Sequence, residues 1–268
     1  MSEGKYSNAA LKGLTQDFHR DGFCILRGHF SPEKIAGWGE AFKPLLEDHI
    51  AREGSMLNRG SARYYVTLPF VAPFADPHFY EDEDVLAIVE NLVGADFVCC
   101  QLASDTPLLG SDYQPVHSDA PPLFPEVADL VTPSFQLAVN FPLVDVTDEN
   151  GPFEVARSTH RLTKTEGMHR LEAGEIELEP VKLNVGDVMI RDVRGLHRGT
   201  PNKTERPRPM CVIGYSRKWQ RRPEVGIDIP RAEWEKLSER ARHMMRFNPV
   251  VESLEDRNEP EVYQAFAY

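Results

Sequence analysis

The sequence has little cysteine, no long apolar run and no excess of positive charge, and each lack excludes a class of protein. Its four cysteines include no CxxC pair, which argues against a zinc knuckle or a disulfide framework. No window reaches the roughly 18 apolar residues of a membrane span, and the N-terminus shows no apolar run of signal-peptide length, so we expect a cytoplasmic protein without a membrane partner. A formal net charge of -12 leaves no basic face for phosphates, which argues against a nucleic-acid partner.

Helical patterns dominate the first third of the chain. Apolar residues recur at helical spacing over 8–20 and 83–93, and a third helix is expected from Ser31, a helix-capping residue followed by proline, to about residue 50. A short apolar run, "FCIL" at 23–26, predicts a buried strand between the first two helices.

After residue 96 the chain consists of short apolar runs separated by turn residues. The runs are "DFVCCQLA", "SFQLAVNFPLV", "PFEVA", "IELEPVKL", "GDVMIRD" and "MCVIGYS". Many short strands of this kind predict a mainly β protein, a sandwich or barrel, with flanking helices. We expect one domain over 1–268, with helical support or a lid at 1–95, a barrel core at 96–218 and a C-terminal wrap at 219–268 that includes a helix near 231–245.

A stretch rich in aromatics and prolines, "RYYVTLPFVAPFADPHFY" at 63–80, stands apart from both patterns. Its prolines argue against a regular helix or a central strand. Two interpretations remain open, a loop packed on the barrel and an aromatic wall or lid over a substrate pocket.

The tripeptide His117-Ser118-Asp119 offers two metal ligands, because residues i and i+2 of an extended segment point to the same side. Such a tripeptide alone is more often a hydrogen-bonded surface pair. His197, which follows "GDVMIRD" and a glycine-containing turn, is the best candidate for a third ligand. Two histidines and one carboxylate leave coordination positions open, which is typical of non-haem Fe(II) oxygenases.

Two arginines follow His197 on the approach to an apolar strand. A dicarboxylate cosubstrate needs its distal carboxylate held inside a dry barrel, and arginine binds a carboxylate with two parallel hydrogen bonds where lysine does not. Arg206 and Arg208 both qualify, and because both are even-numbered, strand alternation does not choose between them.

The order of these elements resembles the phytanoyl-CoA dioxygenase-like family of Fe(II)- and 2-oxoglutarate-dependent oxygenases. The resemblance runs from "FHRDGFCILRGHFSPEKI" through "VHSD" and "LAVNFPLVDVTDENGPFEVARSTHR" to "VGDVMIRDVRGLHRGTPN" and the arginine segment. It implies a double-stranded β-helix, a jelly-roll or cupin-like barrel. It also implies Fe(II), 2-oxoglutarate and O2 as the cofactor and cosubstrates.

Carried over by position, the resemblance makes His117, Asp119 and His197 the iron ligands and selects Arg208 over Arg206 as the anchor of 2-oxoglutarate. Gln101 and Asn140 are further candidates for contact with 2-oxoglutarate, with a structural hydrogen-bonding role as the alternative for each. Thr200 is a weaker candidate, because the family often has serine two positions after the distal histidine and this chain has Gly199 there. The family uses the position of His160 within a loop and not as a ligand.

The resemblance implies oxidation of a C–H bond of a small molecule, most simply hydroxylation, with release of succinate and CO2. Asp119 supports an oxygenase, because related halogenases lack this carboxylate. Basic residues around His197 suggest an anionic or carrier-linked substrate, or else serve only 2-oxoglutarate and ion pairs. A non-redox cupin-like metal-binding protein or isomerase and a zinc hydrolase are the alternative functions. The substrate and the oligomeric state are not indicated.

Overall fold

A computed structural model describes residues 4–53, 60–120, 123–124, 126–127, 130–220 and 226–256. Its helices are α1 Asn8–Asp21, α2 Pro32–Glu53, α3 Pro77–Tyr80, α4 Glu83–Val93, α5 Lys164–Glu172, α6 Arg231–Trp234 and α7 Glu239–Met245. The predicted helices at 8–20, from residue 31 onward and at 83–93 are confirmed. None of the described helices is both long and apolar enough to cross a membrane.

Most of the strands form two antiparallel sheets. The strands are β1 Phe23–Leu26, β2 Arg63–Thr67, β3 Phe97–Pro107, β4 Gln136–Pro142, β5 Phe153–Ala156, β6 Leu178–Val181, β7 Val188–Asp192, β8 His197–Gly199, β9 Met210–Arg217, β10 Ile229–Pro230 and β11 Val250–Val251. The large sheet has the order β1-β7-β4-β9-β3-β2, and the small sheet has the order β6-β5-β8. The predicted jelly-roll with flanking helices is confirmed, although strand pairing among the described residues does not close the two sheets into a barrel.

The large sheet separates the main core from a cavity. Successive side chains of a strand alternate between its faces, and on β4 the odd-numbered Leu137, Val139 and Phe141 pack into the main hydrophobic cluster. The even-numbered Ala138 and Asn140 line the cavity on the opposite face. This alternation explains why an apolar strand carries a polar residue at position 140.

Two of the strands in the large sheet come from the N-terminal region. β1 pairs with β7 and β2 pairs with β3, so β2 forms one edge of the sheet. The six aromatic residues of the 63–80 stretch are all buried. The packed interpretation is confirmed by this burial, but the loop that it assumed is wrong at both ends, because residues 63–67 are an edge strand and residues 77–80 a short helix. Only Tyr65 among the aromatics of the stretch lines the cavity.

The predicted continuous helix near 231–245 is wrong. Two short helices, α6 and α7, replace it. The hydroxyl of Ser238 accepts a hydrogen bond from the backbone N–H of Ala241 at 2.9 Å, which caps the N-terminus of α7. Serine favours such a cap over a helix interior, because its hydroxyl competes with the backbone for hydrogen bonds.

Candidate metal centre and cosubstrate cavity

The two sheets enclose a cavity with about 860 Å³ of empty space, part of which opens to solvent. The strands β2, β3, β4, β7 and β9 of the large sheet and β5 and β8 of the small sheet contribute side chains to its wall. His117 and Asp119 precede β4 in the chain, and backbone hydrogen bonds of 3.0 Å in both directions join His117 to His197. Residues 80 positions apart are thereby brought side by side.

His117, Asp119 and His197 form a compact cluster of possible metal ligands. One ligand atom from each residue lies within 4.8 Å of the others. The Nε2 atom of His117 lies 3.6 Å from Oδ1 of Asp119, and Nε2 of His197 lies 3.4 Å from Oδ2. Both histidines are buried, so this is not the exposed hydrogen-bonded pair that a bare His-x-Asp tripeptide suggests.

The second nitrogen of each imidazole is held by a backbone carbonyl. Nδ1 of His117 lies 2.7 Å from the carbonyl oxygen of Pro115, and Nδ1 of His197 lies 2.9 Å from that of Gly195. A carbonyl only accepts, so each Nδ1 carries the proton and each Nε2 presents a lone pair toward Asp119. Hydrogen bonds of this kind fix the tautomer and orientation of metal-binding histidines.

The charge states of the cluster suit a divalent cation. Burial lowers the pKa of His197 to about 4, so this imidazole is neutral at neutral pH. Burial alone would raise the pKa of Asp119, but Arg191 and His197 outweigh it and hold that pKa well below its usual range. Two imidazoles and one carboxylate are a donor set that fits a first-row divalent metal, Fe(II) included.

Arg191 supports the carboxylate of this cluster. Its Nη2 donates to Oδ2 of Asp119 at 2.5 Å, and its Nε donates to Oδ1 of Asn140 at 3.1 Å. The guanidinium lies over the ring of Phe153, with 5.1 Å between Cζ and the ring centroid. The third nitrogen, Nη1, is buried and has no hydrogen-bond partner among the described residues.

The two candidate anchor arginines have different environments. Arg208 lies just before β9, lines the cavity and is 2% exposed, whereas Arg206 is on the surface. The Nε of Arg208 is buried without a hydrogen-bond partner among the described residues. Burial lowers the pKa of Arg208 to about 10; Asp105 opposes this shift and Arg63 adds to it. Arg208 is therefore placed to receive an anion and Arg206 is not.

The remaining predicted contacts divide between the cavity and the framework. Gln101 and Asn140 both line the cavity; the amide nitrogen of Gln101 donates to the hydroxyl of Tyr65, and that of Asn140 donates to the carbonyl of Cys211 at 3.3 Å. Thr200 is outside the cavity wall, and its hydroxyl donates to the carbonyl of Pro152 at 2.8 Å. In this placement the hydroxyl of Thr200 joins two loops.

Sequence reasoning overlooked Arg63. This side chain is 1% exposed, lines the cavity and donates from Nη1 to Oδ2 of Asp105 at 2.8 Å. Its position at the start of an edge strand, beside two tyrosines, carries no local signal of a polar role. His160, in contrast, is absent from the cavity wall and packs near Phe18, with 6.1 Å between the ring centroids.

Solved structures that resemble this fold include an α-ketoglutarate-dependent enzyme and a protein crystallised with 2-oxoglutarate. The α-ketoglutarate-dependent epimerase SnoN of nogalamycin biosynthesis matches with a TM-score of 0.62 and 22% identity, over 79% of this chain and 84% of that one. HygX from Streptomyces hygroscopicus, solved with nickel, 2-oxoglutarate and hygromycin B, matches with a TM-score of 0.58 and 18% identity, over 78% and 88%. AviO1 from Streptomyces viridochromogenes Tue57 matches with a TM-score of 0.61 and 20% identity, over 81% and 99%.

At these identities the structural matches establish a shared fold. The sequence itself carries the family assignment, because the model of the phytanoyl-CoA dioxygenase (PhyH) family matches residues 18–210. That range contains His117, Asp119, His197 and Arg208. It also contains every strand that lines the cavity except β9, of which it includes only the first residue. The chain belongs to the phytanoyl-CoA dioxygenase family.

Proposed function

We propose that this protein is an Fe(II)- and 2-oxoglutarate-dependent oxygenase that hydroxylates a C–H bond of a small molecule. One observation carries the proposal: the His117, Asp119 and His197 cluster and the buried Arg208 line the same cavity. A zinc hydrolase or a non-redox cupin-like protein needs the metal ligands but not a buried arginine beside them. The descriptions of SnoN with Fe3+ and α-ketoglutarate and of HygX with nickel and 2-oxoglutarate support the same cofactor and cosubstrate here.

The first task of the residues is to hold the metal with positions left open. The Nε2 atoms of His117 and His197 and one oxygen of Asp119 would bind Fe(II), while the other Asp119 oxygen accepts from Arg191. When bound, the iron supplies the activation of O2, which couples 2-oxoglutarate oxidation to succinate and CO2 with insertion of one oxygen atom into the substrate. The backbone carbonyls of Pro115 and Gly195 keep both imidazoles in the ligand tautomer.

The second task is to bind the dicarboxylate. Arg208 presents a buried cation inside the cavity, and we propose that it binds the carboxylate of 2-oxoglutarate distant from the metal. A buried guanidinium binds an anion more strongly than an exposed one, because little water competes for its N–H groups. Gln101 and Asn140 lie on the same wall and are proposed to orient 2-oxoglutarate by hydrogen bonds.

The third task is to bind the substrate and exclude water. Much of the cavity wall is apolar, and the aliphatic and phenylalanine side chains larger than alanine in it are Phe153, Leu183, Met189, Val193, Met210 and Val212. Arg191 adds a polar contact beside the metal cluster through its unpartnered Nη1. We propose an apolar small molecule with one anionic or hydrogen-bond-accepting group near the oxidised carbon.

The wider basic surface around His197 contributes less than its composition suggests. Nη2 of Arg194 lies 2.7 Å from Oδ2 of Asp192, and Nε of Arg198 lies 2.6 Å from Oε2 of Glu154. These ion pairs neutralise two of the cations that would otherwise attract anions. Arg191 is also ion-paired, with Asp119, so the contact we propose for an acceptor group of the substrate is a hydrogen bond from its unpartnered Nη1 and not attraction by a basic rim.

Residues 1–268 are proposed to work as one catalytic domain. β1 and β2 from the N-terminal region pair within the large sheet, and the cavity takes Arg63 and Tyr65 from β2. A fragment that begins near residue 96 would lack one side of the cavity.

The proposal is tested by following 2-oxoglutarate, succinate and product together. Purified protein with Fe(II), ascorbate and isotopically labelled O2 is screened against a panel of small carboxylic acids and their methyl esters. We expect a compound that stimulates O2-dependent succinate formation and gains one labelled oxygen atom. Succinate formation with inversion of a stereocentre and no label would assign an epimerase instead, and hydrolysis without 2-oxoglutarate consumption would refute the proposal.

A further inference from the structure

Gly199 makes room for the guanidinium of Arg63. A Cβ atom at position 199 would lie 2.6 Å from Nη1 and 2.7 Å from Cζ of Arg63, and 2.7 Å from Oε1 of Gln114. Cβ atoms in folded proteins essentially never approach other atoms this closely, so a side chain at position 199 would force the ends of Arg63 and Gln114 to move from the positions seen here. Serine, which the family pattern often has at this position, would need space that the end of the Arg63 side chain fills here.

Arg63 is fixed in this space by two hydrogen bonds. Nη1 donates to Oδ2 of Asp105, and Nη2 donates to the carbonyl oxygen of Thr200, each at 2.8 Å. The remaining nitrogen, Nε, is buried without a hydrogen-bond partner among the described residues. These two hydrogen bonds hold the guanidinium in place, and the N–H of Nε remains able to donate to a ligand.

Arg63 and Arg208 approach the cavity at the same place. Arg63 is the register partner of Pro107 at the end of β3, and the backbone N–H of Arg208 donates to the carbonyl of Pro107 at 3.2 Å. Both side chains line the cavity. The two arginines therefore flank one end of β3, and the guanidinium of Arg63 also lies against Gly199 of β8.

The charges at this end of the cavity do not balance. The described residues of the wall include three arginines, Arg63, Arg191 and Arg208, and two carboxylates, Asp105 and Asp119. Arg191 is paired with Asp119, which leaves Asp105 as the carboxylate shared by the other two arginines. One buried positive charge remains, and a buried charge requires a counterion.

We propose that Arg63 and Arg208 together bind the distal carboxylate of 2-oxoglutarate, with Arg63 in the place of the family's serine. The inference rests on the proposed function, because it takes 2-oxoglutarate as the ligand. It adds that this chain has a two-arginine anchor, in which Gly199 is required for space and Asp105 for orientation.

The test compares two 2-oxo acids that differ only at the distal end. 2-Oxoglutarate and 2-oxobutyrate both chelate iron, but only 2-oxoglutarate has a distal carboxylate. Dissociation constants are measured for each acid with the full chain and Fe(II) under anaerobic conditions, from the visible absorption of the chelate. We expect Arg63→Met to weaken 2-oxoglutarate binding about 10- to 100-fold and to leave 2-oxobutyrate binding within about threefold, since one charge-assisted contact is lost.

A second pair of variants tests the exchange between positions 63 and 199. Gly199→Ser should weaken 2-oxoglutarate binding by displacing Arg63, and Arg63→Ala with Gly199→Ser should recover part of the loss by restoring space and a hydroxyl. If Arg63→Met does not fold, Arg63→Lys replaces it in the comparison of the two acids. Lysine keeps the positive charge but lacks the planar group that forms two parallel hydrogen bonds to a carboxylate, so 2-oxoglutarate binding should again weaken and 2-oxobutyrate binding should not.

The outcomes separate the two levels of the argument. Equal weakening of both acids, or no change in either, would show that Arg63 only supports the fold and would overturn the inference. Wild-type protein that forms no chelate with either acid would instead refute the proposed function.

Discussion

Replacement of Arg208 by methionine should act in opposite directions on ligand binding and on the stability of the ligand-free protein. Methionine fills a similar volume without a charge. In the ligand-free protein the guanidinium of Arg208 is buried with an unpartnered Nε, and burial lowers its pKa from its usual value to about 10. That difference in pKa corresponds to about 3 kcal/mol against the charged form in the folded state.

The sign of this effect follows from proton binding. Above about pH 10 the folded protein loses the Arg208 proton before the unfolded chain does, so the cost that this group adds to folding decreases only as pH rises beyond that value. At neutral pH both states are protonated and the full cost of burial is present. Arg208→Met should therefore raise the melting temperature without ligand, by at most about 2–4 °C for each kcal/mol relieved.

Binding of 2-oxoglutarate should change the other way. Truncation of one partner of a buried, hydrogen-bonded charge pair costs about 2–5 kcal/mol, so Arg208→Met should raise the dissociation constant by about 30- to 5,000-fold. The assay is isothermal titration of 2-oxoglutarate into anaerobic Fe(II)-loaded protein, with thermal unfolding measured with and without the ligand. Arg206→Met, two residues away on the surface, is the matched control and should bind like wild type. An Arg208→Met protein that binds 2-oxoglutarate within threefold of wild type would refute the reasoning.

Three further predictions address the metal cluster, acid stability and one tight turn. Asp119→Ala should lower Fe(II) affinity by more than about 100-fold in a metal titration, because loss of a residue that only hydrogen-bonds a metal ligand already costs about 10- to 100-fold. Asp112→Ala, at an exposed aspartate, is the control, and unchanged Fe(II) affinity in Asp119→Ala would contradict the assignment. Burial lowers the pKa of His160 to about 4, so the folded protein should lose stability as pH falls from 6.5 toward 4. In His160→Leu the denaturation midpoint should depend less on pH over that range than in the wild-type protein, and an equal dependence on pH would contradict this. Gly22→Ala should destabilise the fold by about 1–3 kcal/mol in chemical denaturation, because φ at position 22 is 89° and an added Cβ would lie 2.6 Å from Nδ1 of His160. Gly13→Ala is the control and should not destabilise the fold, because an added Cβ there meets no other atom within 4 Å. Equal stability of the two variants would contradict the prediction.

The fold was largely predictable because its patterns are local. Helical periodicity and capping residues located the helices at 8–20 and 83–93, and turn residues separated the strands after residue 96. The stretch at 63–80 was ambiguous, because its prolines obscure a strand at one end and its aromatics suit a core as well as a lid. The break in the predicted helix at 231–245 depends on a single serine cap, which helical periodicity does not reveal.

The site was predictable only where residue type and spacing carry chemistry. The His-x-Asp tripeptide and the later histidine suggested a metal cluster. The spacing typical of the family selected Arg208 over Arg206, because no local pattern shows that Arg208 is buried and Arg206 exposed. Arg63 reaches the cavity through sheet pairing between β2 and β3, and Gly199 accommodates it across the fold. Such a relation needs three-dimensional contact, so the sequence alone does not reveal it.

The central claim is that one cavity holds Fe(II) on His117, Asp119 and His197 and 2-oxoglutarate on Arg208. The most direct measurement is the visible spectrum of the anaerobic protein after addition of Fe(II) and then 2-oxoglutarate. The account predicts a charge-transfer band that requires both additions and is lost in the Asp119→Ala, Arg208→Ala double variant. No band in the wild-type protein, or a band that survives in the double variant, would contradict it.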